Sequence, residues 1–377
     1  MKRQTSTWGH PRLGLLKEAG VSIWLDDLSR ELLESGRLRT LIAKYGVTGV
    51  TSNPTIFAAA IVGSTAYDDD IRAASTHDAR ELFLHLALED VRRAADLLRP
   101  VYYENARRDG FASFECTPDL AHDTAGTIEQ ALALWKRIDR PNAMIKVPGT
   151  GEGIPAIEEL TAAGVNVNVT LLFSVARYEE ALDAYMRGLE RRVAAGRAVD
   201  QLSSVASFFV SRVDAAVDQQ LPKTSPLRGR IGLANAASAY AVFSGWHHTR
   251  RWRSLEQAGA RPQRPLWAST APKDPSYRDV LYVEGLIGPD VVNTMPETTL
   301  LAFADHGDST RTLKDHDVSM SAIWRALDAH GISLERVTAQ LERDGVRAFE
   351  DSYSRLLAAI EARALVVAKT TSAEIAA

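Results

Sequence analysis

The chain has 377 residues, 45% hydrophobic and 24% charged, with a formal net charge of -4. This is ordinary globular composition, long enough for a large core, and its mixed charge argues against a nucleic-acid surface. Cys116 is the only cysteine, which excludes an internal disulfide and a thiolate metal cluster and suits a reducing cytoplasm.

The polar N-terminus lacks the apolar core of a signal peptide. No run of about 18 apolar residues is present, so no membrane span is expected. Residues 1 to about 18 read as a tail or a short helix. Val21-Ser22-Ile23-Trp24-Leu25 predicts a strand closed by Asp26-Asp27. Helical spacing follows over Leu28–Tyr45, then a second strand at Gly49–Asn53, stopped by Pro54. A helical region runs from about Thr55 to Asp109, and Phe111–Cys116 is a third strand with Glu115 near its end. A helix over 127–138 leads to a fourth strand, 143–148. Further strands are predicted at Asn166–Leu172, Ser203–Val210, Pro265–Ser269 and Val291–Thr294. Helices are predicted between them, at 153–163, 174–195, 213–220 and 231–258. From about Ser319 the pattern is helical to Ala368, with breaks near Gly331 and Gly345 and a frayed end over 369–377.

Eight short strands alternating with helices predict βα units and a parallel sheet. They match a closed (β/α)8 barrel, with an open doubly wound sheet as the alternative. No internal repeat or low-complexity linker divides the chain. Residues 1–377 therefore read as one domain, with a barrel core over about 21–300 and C-terminal helices over about 319–368.

Within this pattern one stretch stands apart: Ala143-Met144-Ile145-Lys146-Val147-Pro148-Gly149-Thr150. An apolar run carries a lysine and stops at a Pro-Gly turn, which predicts a buried strand ending in a loop. Burial makes an ammonium ion expensive, and a free amine there is a candidate for Schiff-base formation with a carbonyl. The plainer readings are a lysine snorkelling to the strand end or a structural ion pair.

Catalytic groups of parallel barrels gather at the C-terminal ends of strands. Asp26, Asn53, Glu115, Lys146, Asn168, Thr170, Ser207 and Arg212 fall at or just beyond such ends. Singly, each has a dull explanation: Asp26 as a helix cap, Asn53 as a turn residue, Glu115 as an arginine's partner, Thr170 as an ordinary strand residue. Together they form a polar pocket around one amine, with acids, a base and an arginine suited to phosphate. The loop Val147–Gly153 is rich in glycine but lacks both the G-x-G-x-x-G spacing and a Gly-Lys-Ser/Thr, so a phosphate cradle is the weaker reading. His247 and His248 point to different helix faces, and no metal site is expected. Arg250, Arg251 and Arg253 beside Trp252 read as a solvated helix face.

The residues resemble the transaldolases. The resemblance rests on Thr51-Ser52-Asn53-Pro54-Thr55-Ile56-Phe57, Met144–Thr150, Asn166-Val167-Asn168-Val169-Thr170-Leu171-Leu172-Phe173-Ser174 and Ser207-Phe208-Phe209-Val210-Ser211-Arg212, in family order over roughly residues 21–300. It implies a circularly permuted (β/α)8 barrel of the class I aldolase type, with the Schiff-base lysine on strand four. It implies no metal and no organic cofactor. The implied reaction moves a dihydroxyacetone unit from fructose 6-phosphate or sedoheptulose 7-phosphate to an aldose phosphate, glyceraldehyde 3-phosphate or erythrose 4-phosphate, in the pentose phosphate pathway. Carried over by motif, Lys146 is the nucleophile, Asp26 the general acid/base, and Glu115 and Thr170 hold a water. Asn53, Asn168 and Ser207 bind substrate hydroxyls, and Arg212 binds phosphate.

The chain departs from the family at three places. Asp26-Asp27 stands where many members have a single acid followed by Thr, so the choice of Asp26 rests on alignment with the family; with Asp26 on the barrel axis, alternation turns Asp27 away or into the loop, where it can cap the next helix. The segment Ser269-Thr270-Ala271-Pro272-Lys273 lacks an arginine some members use, and Lys273 is the candidate replacement. The stretch 214–262 is long, as in a long bacterial subfamily, and fits a monomer or a homodimer. The alternatives are a fructose-6-phosphate aldolase-like enzyme, which releases dihydroxyacetone without an acceptor, and a non-catalytic sugar-phosphate binding protein.

Overall fold

A computed structural model describes residues 9–76, 78–310, 313 and 320–376. Eight strands close into one parallel barrel in sequence order: β1 (Val21–Leu25), β2 (Gly49–Thr51), β3 (Phe111–Glu115), β4 (Ala143–Pro148), β5 (Val167–Leu172), β6 (Ser204–Phe209), β7 (Gln263–Ala268) and β8 (Val291–Met295). β1 pairs with β2 on one side and β8 on the other, which shuts the sheet. The expected barrel is present, and the open sheet is excluded.

Period-two alternation sorts the strand residues. Ile23, Leu25, Ala112, Ile145, Val147, Val167, Val169 and Trp267 face outward and join the core beneath the helices. Trp24, Phe111, Met144, Val205, Leu266 and Val292 face inward and fill the barrel. Steps of two along the strands from these inward residues reach Asp26, Ser113, Glu115, Lys146, Ser207 and Thr294. The apolar filling therefore gives way to polar groups at the C-terminal end.

Several helices differ from their sequence patterns. The pattern over Leu28–Tyr45 forms two helices, Arg30–Glu34 and Arg37–Tyr45, parted at Gly36 with φ +71. The long region before β3 forms three: Pro54–Gly63, Asp68–Ala73 and Ala79–Glu104. The 231–258 segment breaks into Ile231–Trp246 and Arg250–Gln257. Arg251 is not simply solvated, because it pairs with Glu190 and Asp183, while Trp252 beside it is buried. The helices Leu281–Glu284 and Glu297–His306 were not expected. The helix predicted from about Ser319 is seen as Met320–Ala329, residue 319 lying outside the described residues.

The expected break at Gly345 is absent. Leu334–Ala376 is one helix of 43 residues, continuous through the end expected to fray. Gly345 instead permits close packing, since a Cβ there would lie 3.1 Å from Leu171 Cδ2.

The barrel filling predicts one effect directly. A Cβ on Gly49 would lie 2.5 Å from the Trp24 indole, whose Nε1 is tied to Asp109 at 2.8 Å. Gly49→Ala should overpack this layer and lower the urea-unfolding free energy by about 1–3 kcal/mol. An unchanged midpoint would mean that the indole has room to shift.

Candidate active site

A cavity of about 150 Å³ opens at the C-terminal ends of the strands, lined by Asp26, Thr51, Asn53, Lys146, Thr170, Ser207, Arg212 and Lys273, among others. Lys146 forms its floor. The side chain is 7% exposed, and Nζ donates to Ser52 O at 3.0 Å and Glu115 Oε2 at 3.2 Å. Glu115, Lys146 and Asn168 stand side by side on β3, β4 and β5. Burial pushes the Glu115 carboxyl above the ordinary carboxylate range, against the pull of the lysine's charge.

Asp26 faces the cavity just past β1. Burial raises its pKa, and the charges of Lys146, Lys273 and Arg212 together with a hydrogen bond from Thr51 oppose the rise. Thr51 Oγ1 donates to Asp26 Oδ1 at 2.9 Å and lies 2.8 Å from Thr294 Oγ1. A hydroxyl has one proton, so with Thr51's given to Asp26, Thr294 is the donor of the second bond. A relay of hydroxyls thus aims the carboxylate.

Asp27 lies on the opposite side, in a separate hollow with Ser29, Glu31 and Tyr67. It does not cap the next helix as expected. Ser29 does, accepting from Leu32 N at 3.2 Å, because the helix starts at Arg30 rather than near Leu28. Burial, then the negative charges of Asp26 and Glu297, push Asp27 up to about 6.

A second network holds the wall between β3 and β6. Ser207 Oγ donates to Asn168 Oδ1 at 2.7 Å, and Asn168 Nδ2 donates to Ser113 Oγ at 3.0 Å. Thr170 precedes Leu171, whose φ is +60 at an irregularity in the β5–β6 register. Such bulges re-aim side chains beside sites. The buried Thr170 Oγ1 has no hydrogen-bond partner among the described residues. Asn53 is a helix cap rather than a turn residue: its Oδ1 accepts from Ile56 N at 3.1 Å at the start of Pro54–Gly63, and the residue also lines the cavity.

Arg212 lies in the first turn of the helix Ser211–Asp218, with Cζ 5.3 Å from the Phe209 ring centre. Burial lowers its pKa. Lys273, also on the cavity, is lowered by burial and by the charge of Arg212. Neither cation makes an ion pair with a carboxylate among the described residues. The Lys273 loop is fastened to the Arg212 helix: Tyr277 Oη donates to Asp218 Oδ2 at 2.6 Å, and Arg228 bridges Asp274 Oδ2 at 3.2 Å and Asp218 O at 2.6 Å.

The glycine-rich loop after β4 is packed rather than open. A Cβ on Gly153 would lie 1.8 Å from Pro148 O, and the fully buried Thr150 donates to Ala121 O at 2.6 Å. A larger hollow of about 700 Å³, beside the helix Asp68–Ala73 and the C-terminal helix, is mainly apolar and has no comparable set of groups.

The family model described as Transaldolase/Fructose-6-phosphate aldolase matches residues 23–360. The chain belongs to this family. A protein of Saccharopolyspora erythraea named Transaldolase is 48% identical over 92% of this chain and 95% of its own. One from Thermobifida fusca with the same name is 49% identical over 91% and 95%, and one from Mycobacterium bovis is 47% identical over 92% and 96%.

In this family member the cavity brings together seven of the nine residues singled out by sequence, with Glu115 and Asn168 set beside them through Lys146 and Ser207. Sequence reasoning missed Thr51, Ser113 and Thr294, although strand alternation would have found them. It also missed Tyr277 and Phe349, which no local pattern marks.

Asp27 gives a pH signature. A carboxyl whose folded pKa exceeds its unfolded value of about 3.9 favours folding while protonated. That contribution is present below pH 4 and is lost as pH rises through about 6. Asp27→Asn should therefore raise Tm over the parent at pH 7, with the gap shrinking at pH 4. A variant less stable at pH 7 would show that the ionised carboxylate is held favourably.

Proposed function

We propose that this chain is a transaldolase that transfers a dihydroxyacetone unit from a ketose phosphate to an aldose phosphate of the pentose phosphate pathway through a Schiff base on Lys146. The observation that carries this reading is the Lys146 amine, buried beside Glu115 and opening on the same cavity as Asp26 and two cations. Relatives named Transaldolase, aligned over nine-tenths of the chain, support it.

The free amine of Lys146 adds to the C2 carbonyl of fructose 6-phosphate or sedoheptulose 7-phosphate, and water leaves to give an iminium ion. Asp26 takes the C4 hydroxyl proton. The C3–C4 electron pair moves into the iminium, the aldose phosphate departs, and an enamine remains on Lys146. The enamine carbon then attacks the aldehyde of glyceraldehyde 3-phosphate or erythrose 4-phosphate, and Asp26 returns its proton to the new hydroxyl. Water returns to C2, and the product ketose is released.

Glu115, with its raised pKa, and the unpartnered Thr170 hydroxyl hold the water that moves protons at C2. Asn168 and Ser207, fixed to each other, bind hydroxyls of the three-carbon unit, and the Asn53 amide keeps its N–H donors for sugar oxygens. Arg212 and Lys273 seat the phosphate. All the residues given roles here belong to one chain, which suits a monomer or a homodimer.

Asp26→Ala should still condense with the ketose but fail to cleave it. Borohydride with fructose 6-phosphate should trap the whole six-carbon sugar, while turnover falls by roughly 10²–10⁴-fold. Near-normal turnover would remove Asp26 from the mechanism. Arg212→Ala should raise KM for erythrose 4-phosphate by roughly ten- to a hundredfold, as for a lost charged hydrogen bond, and leave KM for unphosphorylated glyceraldehyde nearly unchanged. Equal losses on both would make the arginine structural.

A further inference from the structure

Two aromatic rings line a cavity whose other large side chains are mostly polar, and one comes from outside the barrel. Phe209 ends β6, and Phe349 belongs to the helix Leu334–Ala376. Both are buried.

The helix bearing Phe349 is fastened along its length. Arg363 makes two bonds of 2.6 Å to Asp68. Tyr353 sets its ring edge-on to Phe83, centroids 5.8 Å apart. Thr55 Oγ1 donates to Ser352 Oγ at 3.0 Å, and Arg177 reaches Glu342 at 3.4 Å. One turn before Phe349, Gly345 lets the helix backbone come down on Leu171 and Phe173. These contacts fix the height of the ring over the strand ends.

We propose that Phe349 shields the Lys146 enamine from water, and so sets transfer ahead of release. This rests on the transaldolase reading above. The two fates diverge after the C3–C4 bond has broken. In release, a water relays the proton held by Asp26 to C3 of the enamine, regenerating the iminium ion and the Asp26 carboxylate. A water oxygen then adds to C2, the C2–N bond breaks, and dihydroxyacetone leaves with the Lys146 amine restored. In transfer, C3 bonds to the aldehyde carbon of the acceptor, and the aldehyde oxygen takes the proton held by Asp26. Both fates draw on one enamine, so their ratio depends on how readily water reaches it. An apolar ring at the cavity wall offers water no hydrogen-bond partner and occupies the space it would use.

The test supplies fructose 6-phosphate with and without erythrose 4-phosphate, and measures free dihydroxyacetone and sedoheptulose 7-phosphate. Phe349→Ala should raise the ratio of release to transfer by tenfold or more. Phe349→Leu, which restores most of the apolar bulk, should stay near the parent. Thermal melts establish that each variant is folded. Should the alanine variant not fold, Phe349→Val takes its place, with a ratio above the leucine variant's and below ten times the parent's. An unchanged ratio in a folded truncated variant, or an equal fall in both products, would overturn the proposal and leave Phe349 a packing residue. A parent protein that forms neither sedoheptulose 7-phosphate nor a reducible adduct would instead overturn the transaldolase reading beneath it.

Discussion

Everything at the strand ends depends on holding one amine out of water. Lys146 sits at the point where the barrel's apolar filling of Trp24, Phe111 and Met144 stops. A lysine in such a place is tolerated only if nearby groups offset its lost hydration. Glu115 and the Ser52 carbonyl do so at hydrogen-bond distance. The pairing orients Nζ, and the closed sheet keeps solvent from approaching from below. Of these two partners, Glu115 is the titratable one, its carboxyl held above the ordinary carboxylate range by burial.

Charge is graded across the cavity. Lys146 and Glu115 lie deepest, Asp26 stands across from them, and Arg212 and Lys273 lie toward the mouth. Within this set the positive groups outnumber the acids, a balance suited to a dianionic sugar phosphate. Arg212 and Lys273 repel one another, yet the bonds of Tyr277 and Arg228 to the Asp218 region hold their two elements together. Two cations held together against their repulsion make this part of the cavity attractive to anions.

Much of this was legible in the sequence, because barrel geometry turns strand position into site position. The eight strands and the place of Lys146 on β4 followed from apolar runs and their stop signals, while the choice of Asp26 over Asp27 rested on alignment with the family motif, the two being parted by strand alternation. Chain breaks were harder. A helical pattern does not reveal that Gly36 turns at φ +71, nor that Gly345 stays helical for close packing. Asp27 read as a cap because Ser29 is an equally good cap two residues on, and only the true helix start decides between them. Phe349 was invisible because it reaches the cavity from the C-terminal helix, far along the chain from most of the strand ends, which no periodicity encodes.

The most direct measurement is borohydride reduction of the protein with fructose 6-phosphate, followed by intact mass and peptide mapping. A Schiff-base role for Lys146 predicts one reduced sugar-derived adduct, on the peptide carrying Lys146, and none in Lys146→Arg. An adduct on Lys273, or no adduct from a folded and active protein, would contradict it.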